Sequence, residues 1–343
     1  MAHSIHIIDT TLRDGSHAVS HSYSPDQVRA IASQLDESGV FLIEVSHGDG
    51  ISGSSYNYGF NKHDELELIA AAADCVKKAK TGVLLLPGIG TVADLKQVRS
   101  LGVDAVRVAT HATEADISAQ HISAAKELGM FATGFLMMAH MVPPEKVAEQ
   151  AKLMERYGAD YINIADSAGY LLPEDVAVRI RAVREAVSIP VGFHAHNNLS
   201  LAIANTLSAI GSGASYVDAT LRGLGAGAGN AQLEVLAGVL QRKGLDTGLD
   251  FYHLMDVAEN VVEPLMQRPQ VIRSAPLMLG YAGVYSSFLL HVYRAADRFQ
   301  VDARDLLVEI GRRGMVGGQE DKIVEIAYLM AQKKGSVCKQ EPV

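Results

Sequence analysis

SPDQVRAIASQLDESGVFLIEV, residues 24–45, decides the fold. Ser24 before Pro25 reads as a helix N-cap with proline at the first helical position. Val28, Ile31, Ala32 and Leu35 then fall on one helical face. Gly39 supplies the left-handed turn that ends the helix, and Phe41–Val45 is a short apolar strand. The same unit recurs along the chain. The further strand candidates are Ile5–Asp9, Val83–Leu86, Ala105–Ala109, Phe131–Met137, Tyr161–Ala165, Val191–His196 and Tyr216–Thr220. Gly102, Gly129, Gly158 and Gly213 close the intervening helices, and Pro173–Val187 repeats the proline start. Short apolar strands suit a parallel sheet covered by helices on its outer side.

Eight such units predict an α/β fold, a TIM (β/α)₈ barrel, over residues 1–249. An open doubly wound sheet is the alternative, but no Gly-x-Gly-x-x-Gly follows the first strand. The glycine-rich stretch Gly223–Gly229 follows the eighth strand instead, and reads as an anion-binding loop at the barrel mouth or as a tight turn. After about Asp246 the alternation stops. Phe251–Met266, Val284–Phe299 and Asp321–Lys333 carry helical spacing, so residues 250–335 are expected to form a small C-terminal all-helical domain, with 336–343 a flexible polar tail.

The net charge of −9 argues against a general nucleic-acid or anionic-membrane binder. No apolar run is long enough to span a bilayer and no secretory leader is evident, so a cytoplasmic location is expected. Cys75 and Cys338 read as two free thiols in a reducing compartment.

Chemistry concentrates at two strand ends. The first strand runs into Asp9-Thr10-Thr11-Leu12-Arg13-Asp14-Gly15-Ser16-His17, an Arg, an Asp and a His on the rim where barrel enzymes react. The seventh carries Phe193-His194-Ala195-His196, whose alternate residues share a face, so both imidazoles project into the barrel. Asp14 with His194 and His196 makes a two-His-one-carboxylate set suited to a divalent ion.

These motifs, together with Glu44 at the end of the second strand, resemble the metal-dependent superfamily that includes isopropylmalate and homocitrate synthases and hydroxymethylglutaryl-CoA lyase. Arg13-Asp14-Gly15-Ser16-His17 departs from the Arg-Asp-Gly-Glu-Gln of the synthases. His47-Gly48-Asp49-Gly50, Ser54–Gly59 and Gly280–Phe288 resemble the 4-hydroxy-2-oxovalerate aldolases in particular. The resemblance implies retro-aldol cleavage of a 4-hydroxy-2-oxoacid to pyruvate and a short aldehyde, in the breakdown of aromatic compounds or sterols. It implies Mn²⁺ on Asp14, His194 and His196, with Co²⁺, Mg²⁺ or Zn²⁺ acceptable to the same ligands. Glu44 would hold Arg13, and Ser167 would contact substrate. Leu84 and Leu86 would flank its alkyl end. Arg13 is a fixed cation for an enolate, whereas His17 is an imidazole, the side chain suited to general base work near neutrality. Tyr285 is the expected acid, with Tyr281 its rival.

The resemblance also implies a partner, an acylating acetaldehyde dehydrogenase, in an assembly of two aldolases and two dehydrogenases. From amphipathicity alone, the apolar faces Phe288, Leu289, Val292, Phe299 and Ile323, Ile326, Ala327, Met330 read as packing on the barrel or on a second copy of the chain; the resemblance implies instead that this helical domain holds the partner, with Gly317 and Gly318 leaving room for an aldehyde channel. A Claisen-type acyl-CoA synthase or lyase, and a non-catalytic metal-containing scaffold, are the alternatives.

Overall fold

The computed structural model describes residues 4–316 and 319–337. Eight parallel strands, β1 (His6–Asp9), β2 (Leu42–Glu44), β3 (Lys80–Leu85), β4 (Ala105–His111), β5 (Phe131–Met137), β6 (Tyr161–Asp166), β7 (Val191–Ala195) and β8 (Tyr216–Ala219), close into a barrel in chain order. β1 pairs with β8, from His6 against Tyr216 to Asp9 against Ala219, so no sheet edge remains. Each strand is followed by a helix: α1 (Pro25–Glu37), α2 (Glu65–Cys75), α3 (Val92–Ser100), α4 (Ala119–Glu127), α5 (Pro144–Arg156), α6 (Pro173–Ala186), α7 (Ala202–Gly211) and α8 (Leu233–Arg242). At the start of α1, Gln27 N–H donates to Ser24 Oγ at 3.3 Å, the cap expected of Ser24, and Ser24 N–H donates to Gln27 Oε1 at 2.8 Å, which makes the cap reciprocal. Gly39, after α1, has φ +88°, and a Cβ there would stand 2.4 Å from the Gly248 carbonyl oxygen.

The barrel interior is stratified. Its floor, at the N-terminal strand ends, is an apolar layer of Ile8, Leu42, Ala105, Tyr161 and Tyr216 with Phe41 and Phe131 beside it. The Tyr161 and Tyr216 rings stack at 4.2 Å. Above the floor lies a charged layer. Arg107 on β4 is fully buried, donating from Nη1 to Glu44 Oε2 at 3.3 Å and from Nη2 to Asp218 Oδ2 at 2.5 Å, with its guanidinium 4.7 Å from the Phe135 ring centroid. Removing one partner of a buried charge group leaves the others uncompensated, so Arg107→Met is expected to cost about 3–5 kcal/mol. Urea unfolding measures this, and a loss under about 1 kcal/mol would contradict it.

Past α8, α9 (Phe251–Val257) runs through a wider π-type turn, Ala258–Val262, and a short tight turn, Glu263–Leu265. Leu254, Val257, Ala258 and Val262 belong to the barrel's own apolar cluster. A second cluster, from Leu279 to Ala327, forms the core of the C-terminal helices α10 (Ser274–Ala282), α11 (Leu289–Phe299), α12 (Ala303–Arg312) and α13 (Glu320–Val337). The apolar break therefore falls after Met266, later than residue 250.

Three expectations are corrected. Helices α10 and α12 were not anticipated, and α11 starts at Leu289 rather than Val284, after a turn at Ser286–Phe288. The helix α13 takes in Ser336 and Val337, which the sequence assigned to a tail. Finally, Phe288, Val292, Ile323, Ile326 and Ala327 are buried in the domain's own core, because α11 and α13 pack on each other; those faces are not free for a partner. Among the described residues no helix is long and apolar enough to cross a membrane.

Candidate active site

β1 ends at Asp9, and the chain turns through Asp14–His17 directly over the barrel mouth, so Asp14 is brought to the residues at the end of β7. Asp14 Oδ2 lies 3.5 Å from His194 Nε2 and 3.7 Å from His196 Nε2, and the two nitrogens are 3.3 Å apart. All three side chains are buried. The centre of that triangle is about 2 Å from each atom, close to the ~2.0–2.2 Å bonds that nitrogen and carboxylate ligands make to a divalent ion. His194 Nδ1 is 2.8 Å from Asp218 Oδ2 on β8, which fixes Nδ1 as the donor and leaves Nε2 free. Asn230 Nδ2 donates to Asp14 Oδ2 at 2.7 Å, while its own Oδ1 is buried without a partner. Two bare imidazole nitrogens and a carboxylate oxygen converging at this range fit a resident cation.

The electrostatics agree for Asp14 and His196, whereas at His194 they favour a protonated ring, whose Nε2 proton a bound cation would displace. Burial pushes Asp14 upward, but Arg13 and the two imidazoles outweigh it and hold the carboxyl well below the usual range. Burial, with His194 and Arg13 beside it, lowers His196 to about 4, so its ring stays neutral near pH 7. Burial also disfavours the His194 cation, but its contacts with Asp14 and Asp218 win and raise it.

Arg13 donates from Nε to Glu44 Oε2 at 2.7 Å, and its Nη1 is 3.5 Å from Asp14 Oδ1. Its Nη2 is buried and unpartnered. Glu44 also takes Arg107, and Arg107 takes Asp218, so one chain of charges links Arg13 to the His194 orienter. His17 Nε2 lies 4.0 Å from Asp14 Oδ1 and 3.8 Å from Asp49 Oδ2. Arg13, Asp14, His17, Leu84, Leu86, Ser167, His194, His196 and Tyr285 all line one inner cavity of about 60 Å³. It meets an outer cavity of about 880 Å³ at His17, Asp49, Ala226, Tyr285 and Ser286.

Comparison with known proteins decides the family. The HMGL-like family model matches residues 4–261, and the model of the DmpG-like communication domain matches residues 270–332. The 4-hydroxy-2-oxovalerate aldolase of Moorella thermoacetica is 67% identical over 97% of this chain and 99% of its own length. That of Carboxydothermus hydrogenoformans is 61% identical over 97% and 99%, respectively. The chain belongs to the 4-hydroxy-2-oxovalerate aldolase family. It is thereby a carbon–carbon lyase. Solved structures agree on the fold. The N-terminal domain of a putative aldolase from Bacteroides vulgatus superposes with TM-score 0.71 at 24% identity, over 85% of this chain and 97% of that one. The carboxyl transferase domain of Rhizobium etli pyruvate carboxylase superposes with TM-score 0.78 at 19% identity, over 96% and 60%.

In this member of the aldolase family, Tyr285 and Tyr281 are cleanly separated. Tyr285 lines both cavities and its hydroxyl donates to Met137 Sδ at 3.0 Å, whereas Tyr281 is 66% exposed. Ser167 Oγ accepts from Met138 N–H at 3.0 Å, leaving its own O–H to donate. Leu84 and Leu86 join Phe135 and Met137 in a small apolar cluster of their own. Gly317, Gly318 and Cys338 lie outside the described residues. Sequence reasoning missed Arg107, Asp218, Asn230 and the roles of Asp49, His21 and His47. His21 and His47 stack at 3.9 Å, with His17 edge-on to His21 at 4.9 Å. Burial, then the neighbouring imidazoles, lower His21 to about 3 and His47 to about 4, so the stack is neutral.

Proposed function

We propose that the chain cleaves 4-hydroxy-2-oxopentanoate, or its homologue 4-hydroxy-2-oxohexanoate, to pyruvate and acetaldehyde or propanal. What carries this is the convergence of an unpaired Arg13 Nη2, His17 and the Asp14–His194–His196 triad on one small cavity. Asp14, His194 and His196 are the ligands for a divalent ion, Mn²⁺ by family likeness, which when bound supplies Lewis-acid stabilisation and removes any need for a Schiff-base lysine. His17 Nε2 takes the proton of the 4-hydroxyl. The C3–C4 bond breaks, C4 leaves as the aldehyde, and the bonding pair becomes the C2–C3 enolate. Arg13 Nη2 donates to the enolate oxygen. Tyr285, whose hydroxyl is held protonated by burial and by the Asp49 charge, delivers a proton to C3 or orients a water that does. Ser167 O–H is free to donate to the substrate. The Leu84–Leu86 cluster faces the alkyl end, where one methylene is worth ~1–3 kcal/mol.

The test is a lactate-dehydrogenase-coupled assay of both oxoacids. Pyruvate release is expected from at least one of them, and no release from either in protein holding its metal overturns the assignment.

The C-terminal domain is assigned to docking an acylating acetaldehyde dehydrogenase, in a complex of two copies of each subunit. Its likeness to a communication domain supports this, and so do Leu290, Tyr293, Val308 and Tyr328, which stay exposed after the domain's own core has formed. A volatile, amine-reactive aldehyde gives direct transfer a chemical rationale, and Gly317 and Gly318 are its expected channel positions. Co-purification of the two subunits is expected; the absence of any complex with the dehydrogenase overturns it.

A further inference from the structure

The His17 ring rests against backbone that carries no side chain. A Cβ built on Gly48 would stand 2.3 Å from His17 Nε2, 2.5 Å from Cε1 and 2.6 Å from Cδ2, inside any real contact. We propose that Gly48 is a positioning residue for His17: the missing side chain at 48 seats the imidazole against the loop after β2, with Nε2 turned toward Asp14. This rests on the base role given to His17 above.

The loop is not free to yield. Glu65, in the first turn of α2, accepts His47 N–H through Oε1 and Ser52 N–H through Oε2, both at 2.8 Å. Gly50 N–H donates to the His47 carbonyl and Ile51 N–H to the Leu84 carbonyl on β3, again both at 2.8 Å. Gly50 itself, at φ +88°, is pressed so close that a Cβ would meet the Leu84 carbonyl oxygen at 2.8 Å. The loop is thus pinned to α2 on one side and to the barrel on the other. The His47 ring adds a third tie, with Nδ1 accepting from Asp49 N–H and Nε2 donating to the Gly59 carbonyl, both at 3.1 Å.

His17, by contrast, is the far end of a rotatable side chain and is 24% exposed toward the cavity. Its retreat is limited where the stacked His21–His47 pair stands. A methyl at 48 therefore moves the imidazole and leaves the loop and barrel in place. The proton-accepting nitrogen is the ring atom nearest the added carbon, so it is displaced most directly. None of the three atoms nearest the added carbon belongs to Asp14, His194 or His196, and His17 Nε2 reaches Asp14 Oδ1 only at 4.0 Å, so metal binding is expected to persist.

The experiment is a double-mutant cycle on the intact chain: Gly48→Ala, His17→Ala and the pair. Pyruvate release, exchange of the pyruvate methyl protons with solvent, and bound Mn²⁺ are each measured. A positioned general base contributes ~10²–10⁴-fold, so Gly48→Ala is expected to lose at least about tenfold in cleavage. Proton exchange and one bound Mn²⁺ per chain persist. In the His17→Ala background the methyl fills the space left by the ring, and Gly48→Ala has no further effect. Additive losses overturn the proposal. So does a loss of exchange in Gly48→Ala that His17→Ala does not share, or a Gly48→Ala chain that fails to fold or to hold metal. If His17→Ala loses both reactions equally, its base role fails, while a non-additive cycle still supports the seat at 48. If His17→Ala keeps full cleavage, both fall.

Discussion

Arg13→Ala is expected to lower retro-aldol cleavage and pyruvate methyl-proton exchange together, each by about 10²–10³-fold. Both reactions pass through the same enolate, and Arg13 Nη2 is the buried donor that has no other partner. A water that enters the space left by the side chain brings no permanent positive charge for the enolate. His17→Ala gives a different pattern. Cleavage needs a base for the 4-hydroxyl and falls by ~10²–10⁴-fold, whereas exchange of the pyruvate methyl protons needs only enolisation and is largely kept. Stopped-flow pyruvate release beside a proton-exchange measurement by NMR separates the two. Equal loss of both reactions in His17→Ala contradicts the division of labour, and retained exchange in Arg13→Ala contradicts the enolate role.

The second large effect is on metal. His194→Ala removes one ligand and also strips Asp218 of the imidazole it orients, so bound metal and cleavage are expected to vanish together. Asp218→Asn keeps all three ligands but removes both the charge that orients His194 and a carboxylate partner of Arg107; a ~10–100-fold drop in metal affinity is expected, beside a loss of stability. Equilibrium dialysis against Mn²⁺ reads both. Full occupancy in the double variant His194→Ala/His196→Ala removes the triad from the account.

The barrel was legible because its grammar is local. Each strand is a short apolar run, and most of the outer helices announce themselves by a capping residue or proline at the start, as α1, α3, α5 and α6 do, or by a glycine after the end, as α1, α3, α4, α5 and α7 do. The C-terminal helices follow a weaker grammar. Ser274–Ala282 is apolar nearly all round and contains Pro276 and Gly280, so periodicity is silent there. Asp302 caps Ala303–Arg312, where Leu306, Leu307 and Ile310 mark one face, a signal that was present and passed over.

The first ring of site residues was legible for the same reason, since strand ends deliver them. What lies behind that ring was less so. Arg107 and Asp218 are charges inside buried strands, Ala105–His111 and Tyr216–Ala219, and a charge in such a run must find a partner. The run shows that a partner exists but cannot say that one arginine serves both Glu44 and Asp218. Asn230 sits in a glycine loop whose reach over Asp14 depends on barrel closure. The contact between Gly48 and His17 joins two loops of different strands, and a glycine carries no side-chain pattern to betray it.

The most direct test of the whole account is a titration of metal-free protein with Mn²⁺ while pyruvate release from 4-hydroxy-2-oxopentanoate is followed. Negligible release is expected without the ion, with a rate that climbs and levels at one Mn²⁺ per chain and no response in His196→Ala. Undiminished release from the metal-free chain, or an ordinary response in His196→Ala, would contradict it.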